Sequence, residues 1–194
     1  MMRTGLFYWW AVVLVAAADQ LTKQLIMSYI PYQEMVDLLP CLALVHVYNT
    51  GAAFSFLSQS GGWQAYLFIA IALVALIIIG VSLARIPRRQ WVYCLSLALI
   101  AGGAVGNVID RICYGHVVDF ILFYIRGVFT YPAFNVADSA ICVGVALLII
   151  RSLFFDRKPA VDAGAGQVAV AGEGAVVRQG EGTPQGRGAG EETS

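Results

Sequence analysis

Two carboxylates stand out by where they fall. Asp119 sits in VVDF (residues 117–120) and Asp138 in FNVADS (134–139), the second at the head of an apolar run over residues 137–150. An ionised carboxylate at the mouth of an apolar stretch is costly, because burial disfavours the charge and hydrocarbon offers it no partner. Two of them at the same end of their elements point to one shared site. Side by side they cannot both ionise easily, so at neutral pH one keeps a proton and the other does not. Such a pair can take a proton from water with one member and hydrogen-bond a reacting oxygen with the other. Each acid also has a plainer use. Asp138 suits the first turn of a helix, where the dipole favours an anion, and Asn135 three residues earlier suits the cap. Asp119 is harder to explain structurally, since Asp is disfavoured in a strand between Val118 and Phe120.

Other polar residues fall at suggestive spacings. Asn107, Asp110 and Arg111 stand at i, i+3 and i+4, one polar face at a helix end. That spacing fits a local Asp–Arg pair beside an amide contact. It fits equally a group in which Arg111 and Asn107 hold substrate carbonyls or orient a catalytic acid. Asn49, in a turn, is either a left-handed residue or a ligand. Asp19 and Lys23 share a helix face in the favourable acid-first order. Ser139 or Ser55 with Lys23 could make a nucleophilic pair, but Asp19 one turn away keeps Lys23 protonated and a poor base. His46 and His116 are lone histidines suited to surface roles. Cys113-x-x-His116 falls short of a metal site, whether Cys41 and Cys113 pair stays open, and no basic patch with interleaved aromatics points to nucleic acid.

These residues must be positioned by membrane elements. The 194-residue chain is 59% hydrophobic and only 12% charged, against roughly 25% charged in soluble domains. A span needs about 20 apolar residues for a core of roughly 30 Å. Four stretches qualify, at about residues 5–28, 63–84, 91–109 and 134–154. The first begins like a cleavable signal peptide, with Arg3 and then an apolar run, but its continuation through residue 28 reads as an uncleaved span. Residues 31–40 form a polar, turn-rich loop. Residues 42–48 and 52–57 read as strands joined at Asn49-Thr50-Gly51, and residues 114–131 suit short strands or a surface helix. Seven cations (Arg3, Arg85, Arg88, Arg89, Arg151, Arg157 and Lys158) fall on one side of these spans, against Arg111 and Arg126 on the other. Both termini are therefore expected to be cytoplasmic, with Asp119 and Asp138 facing outward. Residues 1–155 make one membrane domain. Residues 156–194, Gly- and Ala-rich with no aromatic beyond residue 160, read as a disordered cytoplasmic tail.

Intramembrane acids also serve ion-coupled carriers, but those place them at mid-span and between inverted repeats. Here the acids gather at span ends on one side, and no repeat is visible. The ordered motifs DQLTK (19–23), NTGAAFS (49–55), GGAVGNVIDR (102–111), VVDF (117–120) and FNVADS (134–139) resemble those of bacterial lipoprotein signal peptidase, or signal peptidase II. The resemblance covers about residues 5–155. It implies an intramembrane aspartic endopeptidase of the inner membrane that removes the signal peptide from diacylglyceryl-modified prolipoproteins, just before the lipidated cysteine. It implies an all-α membrane core of four transmembrane helices, with a small extracytoplasmic β-cradle and a short surface helix. It places the catalytic pair at Asp119 and Asp138, and a substrate-binding lining at Asn49, Asn107, Arg111 and Asn135. Asp19, Lys23 and Asp110 take supportive roles. It implies no metal or cofactor, with lipidated prolipoproteins and membrane lipids as partners; a monomer is the expectation, though the sequence itself does not fix the oligomeric state.

Overall fold

The computed structural model describes residues 4–51 and 63–155. A 3-10 turn, Gly5–Tyr8, leads into helix α1, Trp9–Tyr29. Strands β1 (Met35–Leu39) and β2 (Leu42–Asn49) follow, then helices α2 (Trp63–Arg85) and α3 (Trp91–Tyr114). Strands β3 (Val117–Ile125) and β4 (Phe129–Thr130) precede helix α4, Val136–Phe155. Among the described residues, four helical stretches are long and apolar enough to cross a membrane: Gly5–Tyr29, Trp63–Arg85, Trp91–Tyr114 and Val136–Phe154.

Helix α3 is central and packs against each of the other three. Small residues let it do so. A Cβ on Gly103 would run into the Ala137 carbonyl of α4, and one on Gly106 would lie 2.5 Å from Asp19 Oδ2 of α1. Leu97, Ala98 and Ala101 of α3 fill a core with Ala11 and Val12 of α1 and Ile79 and Leu83 of α2. At one end, the Gly5 N–H donates to the Ile86 carbonyl and Arg151 of α4 donates to Gln90. That end therefore gathers the start of α1, the α2–α3 loop and the end of α4.

The opposite end carries an antiparallel sheet in the order β1-β2-β3-β4. Val47 lies across from Asp119 and Asn49 across from Val117. Beyond β4 the chain returns to β3: the N–H groups of Phe120 and Ile121 both donate to the Phe134 carbonyl, and Phe134 N–H donates back to Ile121. Two residues later α4 begins, so the sheet fixes where that helix starts.

Several expectations needed revision. Residues 31–40 contain a strand, β1, and β2 pairs with β1 and β3. The strand expected at 52–57 lies outside the described residues, as does the tail expected at 156–194. Of the two alternatives for residues 114–131 the strands hold, as β3 and β4, and no short surface helix stands among the described residues on this side. Helix α3 runs past residue 109 to Tyr114, ending on Gly115 in the left-handed conformation at φ 77°. Cys41 and Cys113 are exposed free thiols. His46 is buried, at 5% exposure, not on the surface. The inward side of β2 carries it under the sheet, where Nδ1–H donates to the Ile30 carbonyl at 2.8 Å. His116 is half-buried, its ring 3.9 Å from that of Tyr48.

Candidate active site

Asp119 is carried by β3, and Asp138 by the first turn of α4. Between them stand two asparagines. Asn135 Nδ2 donates to Asp119 Oδ1 at 2.7 Å and lies 3.2 Å from Asn107 Oδ1. Asn107 Nδ2 donates to Asp138 Oδ1 at 2.8 Å. The acids thus belong to one chain of hydrogen bonds, Asp119–Asn135–Asn107–Asp138. Asn49 closes the far side, its Nδ2 donating to Asp119 Oδ2 at 2.9 Å. Its Oδ1 accepts from Gly51 N–H at 2.8 Å, so the positive φ of that turn sits at Gly51 (102°) and not at Asn49. Asn49 thereby makes the turn and reaches the acid with one side chain.

Helix α4 starts on a reciprocal cap. Asn135 Oδ1 accepts from Asp138 N–H at 2.9 Å, and Asp138 Oδ2 accepts from Asn135 N–H at 3.3 Å. Asp138 therefore serves as a capping residue as well as standing in the polar cluster. Its carboxylate meets two donors, Asn107 Nδ2 and the Asn135 N–H, at the start of the helix.

Beneath lies a buried charge cluster. Lys23 Nζ is 2.7 Å from Asp19 Oδ2 and 2.8 Å from Asp110 Oδ2, with all three side chains at most 1% exposed. The third Lys23 contact runs to Asn107 Oδ1 at 3.1 Å. An ammonium has only donors, so Lys23 fixes which end of the Asn107 amide points at Asp138. Each acid then ties in another element. Asp19 Oδ1 accepts from Ala137 N–H of α4 at 2.9 Å, and Asp110 Oδ2 accepts from Val118 N–H of β3 at 3.0 Å. Four elements meet on this one ion cluster.

Burial pushes the Asp119 carboxyl up to about 7; the Asn49 bond opposes this, and the neighbouring Asp138 charge adds to it. Arg111 lies close enough to interact with Asp138, Asp119 and Asp110, but its guanidinium is 4.8 Å from the Phe68 ring centroid and donates to its own helix at Asn107 O, 3.2 Å away. Asp110 is satisfied by Lys23 and Gln20, so the local Asp110–Arg111 pairing that the spacing permitted is not what holds it. Ser139 Oγ donates to the Asn135 carbonyl, and Lys23 is engaged three times over, so no Ser139–Lys23 nucleophile is formed. A cleft of about 490 Å3 opens beside Asp138, walled by Phe134, Tyr131, Cys142 and Val143. Sequence reasoning passed over Gln20, which joins Asp110 at 2.7 Å to the Gly106 carbonyl at 3.1 Å. Its place inside the DQLTK motif, one residue after Asp19, was the available signal.

A multi-pass membrane protein with an asparagine-linked acid pair at one rim of its helix bundle is the class that this fold and site define. The family model described as signal peptidase (SPase) II matches residues 11–154, and the chain belongs to that family. It is 46% identical over 157 residues to the lipoprotein signal peptidase of Shewanella loihica, covering 81% of this chain and 92% of that one. It is 45% identical to the lipoprotein signal peptidase of Tolumonas auensis, over 81% of this chain and 94% of the other. A solved structure described as a bacterial membrane enzyme, determined by the in meso method, superposes with a TM-score of 0.67. It has 30% sequence identity and covers 80% of this chain and 99% of that structure.

Proposed function

We propose that this chain is an aspartic endopeptidase of the bacterial inner membrane, cleaving the signal peptide from diacylglyceryl-modified prolipoproteins just before the lipidated cysteine. The observation that carries the mechanism is the hydrogen-bonded chain linking Asp119 to Asp138 through Asn135 and Asn107. Asp119, pushed up to about 7, holds the shared proton. Asp138, set at a helix N-terminus, is the carboxylate that takes a proton from water. The water oxygen attacks the scissile carbonyl carbon while the Asp119 O–H hydrogen-bonds the carbonyl oxygen as it gains charge. Asp138 then passes its proton to the departing amine, and the peptide bond breaks. The apparent pKa values of this cycle belong to the pair.

Asn49 and Asn135 steady Asp119, and Asn107 steers Asp138. Arg111, within electrostatic reach of both acids, binds substrate carbonyls. Asp19, Lys23 and Asp110 hold the elements in register. The lipid chains lie against the bundle in the hydrocarbon, which accounts for a site at the membrane rim, on the outward face by the distribution of arginines. The enzyme acts as a monomer.

The test uses purified protein and a lipidated precursor, with cleavage followed by gel shift. Wild type converts the precursor, whereas Asp119→Asn and Asp138→Asn leave it intact while remaining folded in membranes. Cleavage that survives in both variants would overturn the pair.

A further inference from the structure

The end of the bundle away from Asp119 and Asp138 gathers arginines. Arg85 closes α2, Arg88 and Arg89 fill the loop that follows, and Arg151 arrives from α4. Between the start of α3 and the last turns of α4 lies a cavity of about 380 Å3, lined by Arg89, Gln90, Trp91, Val92 and Arg151. Among the described residues, the lining holds two cations and no carboxylate.

Arg151 is held in position. It donates to Gln90 Oε1 at 3.1 Å, and its guanidinium lies 4.5 Å from the Tyr93 ring centroid. Gln90 is the N-cap residue of α3 yet makes no side-chain cap bond, and the first turn contains no acid. The positive end of the helix therefore adds to the field of the two arginines. Arg88, by contrast, lies over Phe7 at 3.2 Å and takes no part in the lining. Trp91 is 61% exposed at the rim of the cavity, and Ile150 and Leu153 of α4 are exposed nearby. An amphipathic Trp ring on a spanning helix belongs at the headgroup level.

We propose that this cavity seats the phosphate of an anionic phospholipid from the leaflet on the arginine-rich side. Arg89 and Arg151 take the phosphate oxygens, Trp91 lies among the headgroups, and the acyl chains run along the apolar wall of α3 and α4. The bound lipid ties the start of α3 to the end of α4, the two helices whose other ends carry Asn107 and Asp138.

The test titrates phosphatidylglycerol into the full-length protein in detergent and counts bound lipid by native mass spectrometry. Phosphatidylcholine of the same chain length and inorganic phosphate serve as the other probes. One phosphatidylglycerol is retained per chain. Its affinity falls about fivefold for Arg89→Gln or Arg151→Gln and roughly thirtyfold for the pair, at about one unit of surface attraction per cation. Arg85→Gln with Arg88→Gln removes the same charge outside the cavity and leaves the affinity within about twofold. Equal weakening by the two double variants would reduce the site to diffuse attraction and overturn the proposal. Equal retention of phosphatidylcholine, or displacement of the lipid by millimolar inorganic phosphate, would overturn it as well. Should the double variant lose its fold, Arg89→Gln alone decides, because that side chain is exposed.

Discussion

Two acid-centred clusters stand on the sheet side of the bundle, built from similar residues at similar distances. Lys23 lies 2.7 Å from Asp19 and 2.8 Å from Asp110, with every side chain at most 1% exposed. Arg126 lies 2.6 Å from Asp37, yet these side chains are 75% and 39% exposed. The Tyr124 hydroxyl, which donates to Asp37 at 2.7 Å, and the Arg126 charge hold that carboxyl below its usual range. Distance does not separate the two clusters; water does. An exposed pair is screened and adds little to stability. A buried one cannot be rescued by solvent, so losing one partner strands a charge. The buried cluster steers Asn107 and anchors α4 and β3, whereas the exposed one trims a sheet edge.

That contrast is open to direct attack. Asp119→Asn or Asp138→Asn, just above the buried cluster, lowers processing by roughly 10²–10⁴-fold in the gel-shift assay. Lys23→Met strands Asp19 and Asp110 and costs roughly 3–5 kcal/mol in denaturant unfolding of the detergent-solubilised protein. An unfolding midpoint close to wild type would mean that water reaches the cluster after all. The pH profile sharpens the same point. Asp119 sits near 7 against an ordinary 3.8, so the folded chain holds a proton the unfolded chain sheds. Its stabilising contribution is fully present below about 4 and is lost as pH rises through about 7. The rate of processing falls with it, as a descending limb centred near 7 in assays from about pH 5 to 9. Arg126→Gln leaves the thermal midpoint, the activity and that limb unchanged, because its ion pair is solvated. Ending the chain after residue 157 has the smallest effect, with full activity expected in the same assay.

Much of this was legible in the residues. The spans announce themselves as apolar runs, and the acids as charges that such runs have no reason to carry. Asn107, Asn135 and Lys23 stand out by spacing and motif, yet their hydrogen-bond order, which decides what each does, depends on contacts between residues up to 84 apart in sequence. The end of α3 is hidden because Asp110 and Arg111 read as a boundary. Lys23 and Gln20 neutralise and bond Asp110 inside the bundle, so the helix continues for another turn. Strand β1 leaves no trace in the sequence because all five of its side chains are exposed, with no alternation to read. The burial of His46 is not legible, because a polar residue in a short strand gives no hint of which side it takes when the β2–β3 register slips between Leu44 and Val47.

The reciprocal cap at the head of α4 ties chemistry to local unwinding. Asp138 holds its own helix start through the Asn135 N–H, so a carboxyl drawn toward a substrate must release that bond. On the proposed mechanism that bond opens once per turnover, while Asn135 Oδ1 keeps its bond from the Asp138 N–H. A non-cleavable peptide lodged beside Asp138 should speed amide hydrogen exchange at Asn135 while leaving exchange deeper in the helix untouched.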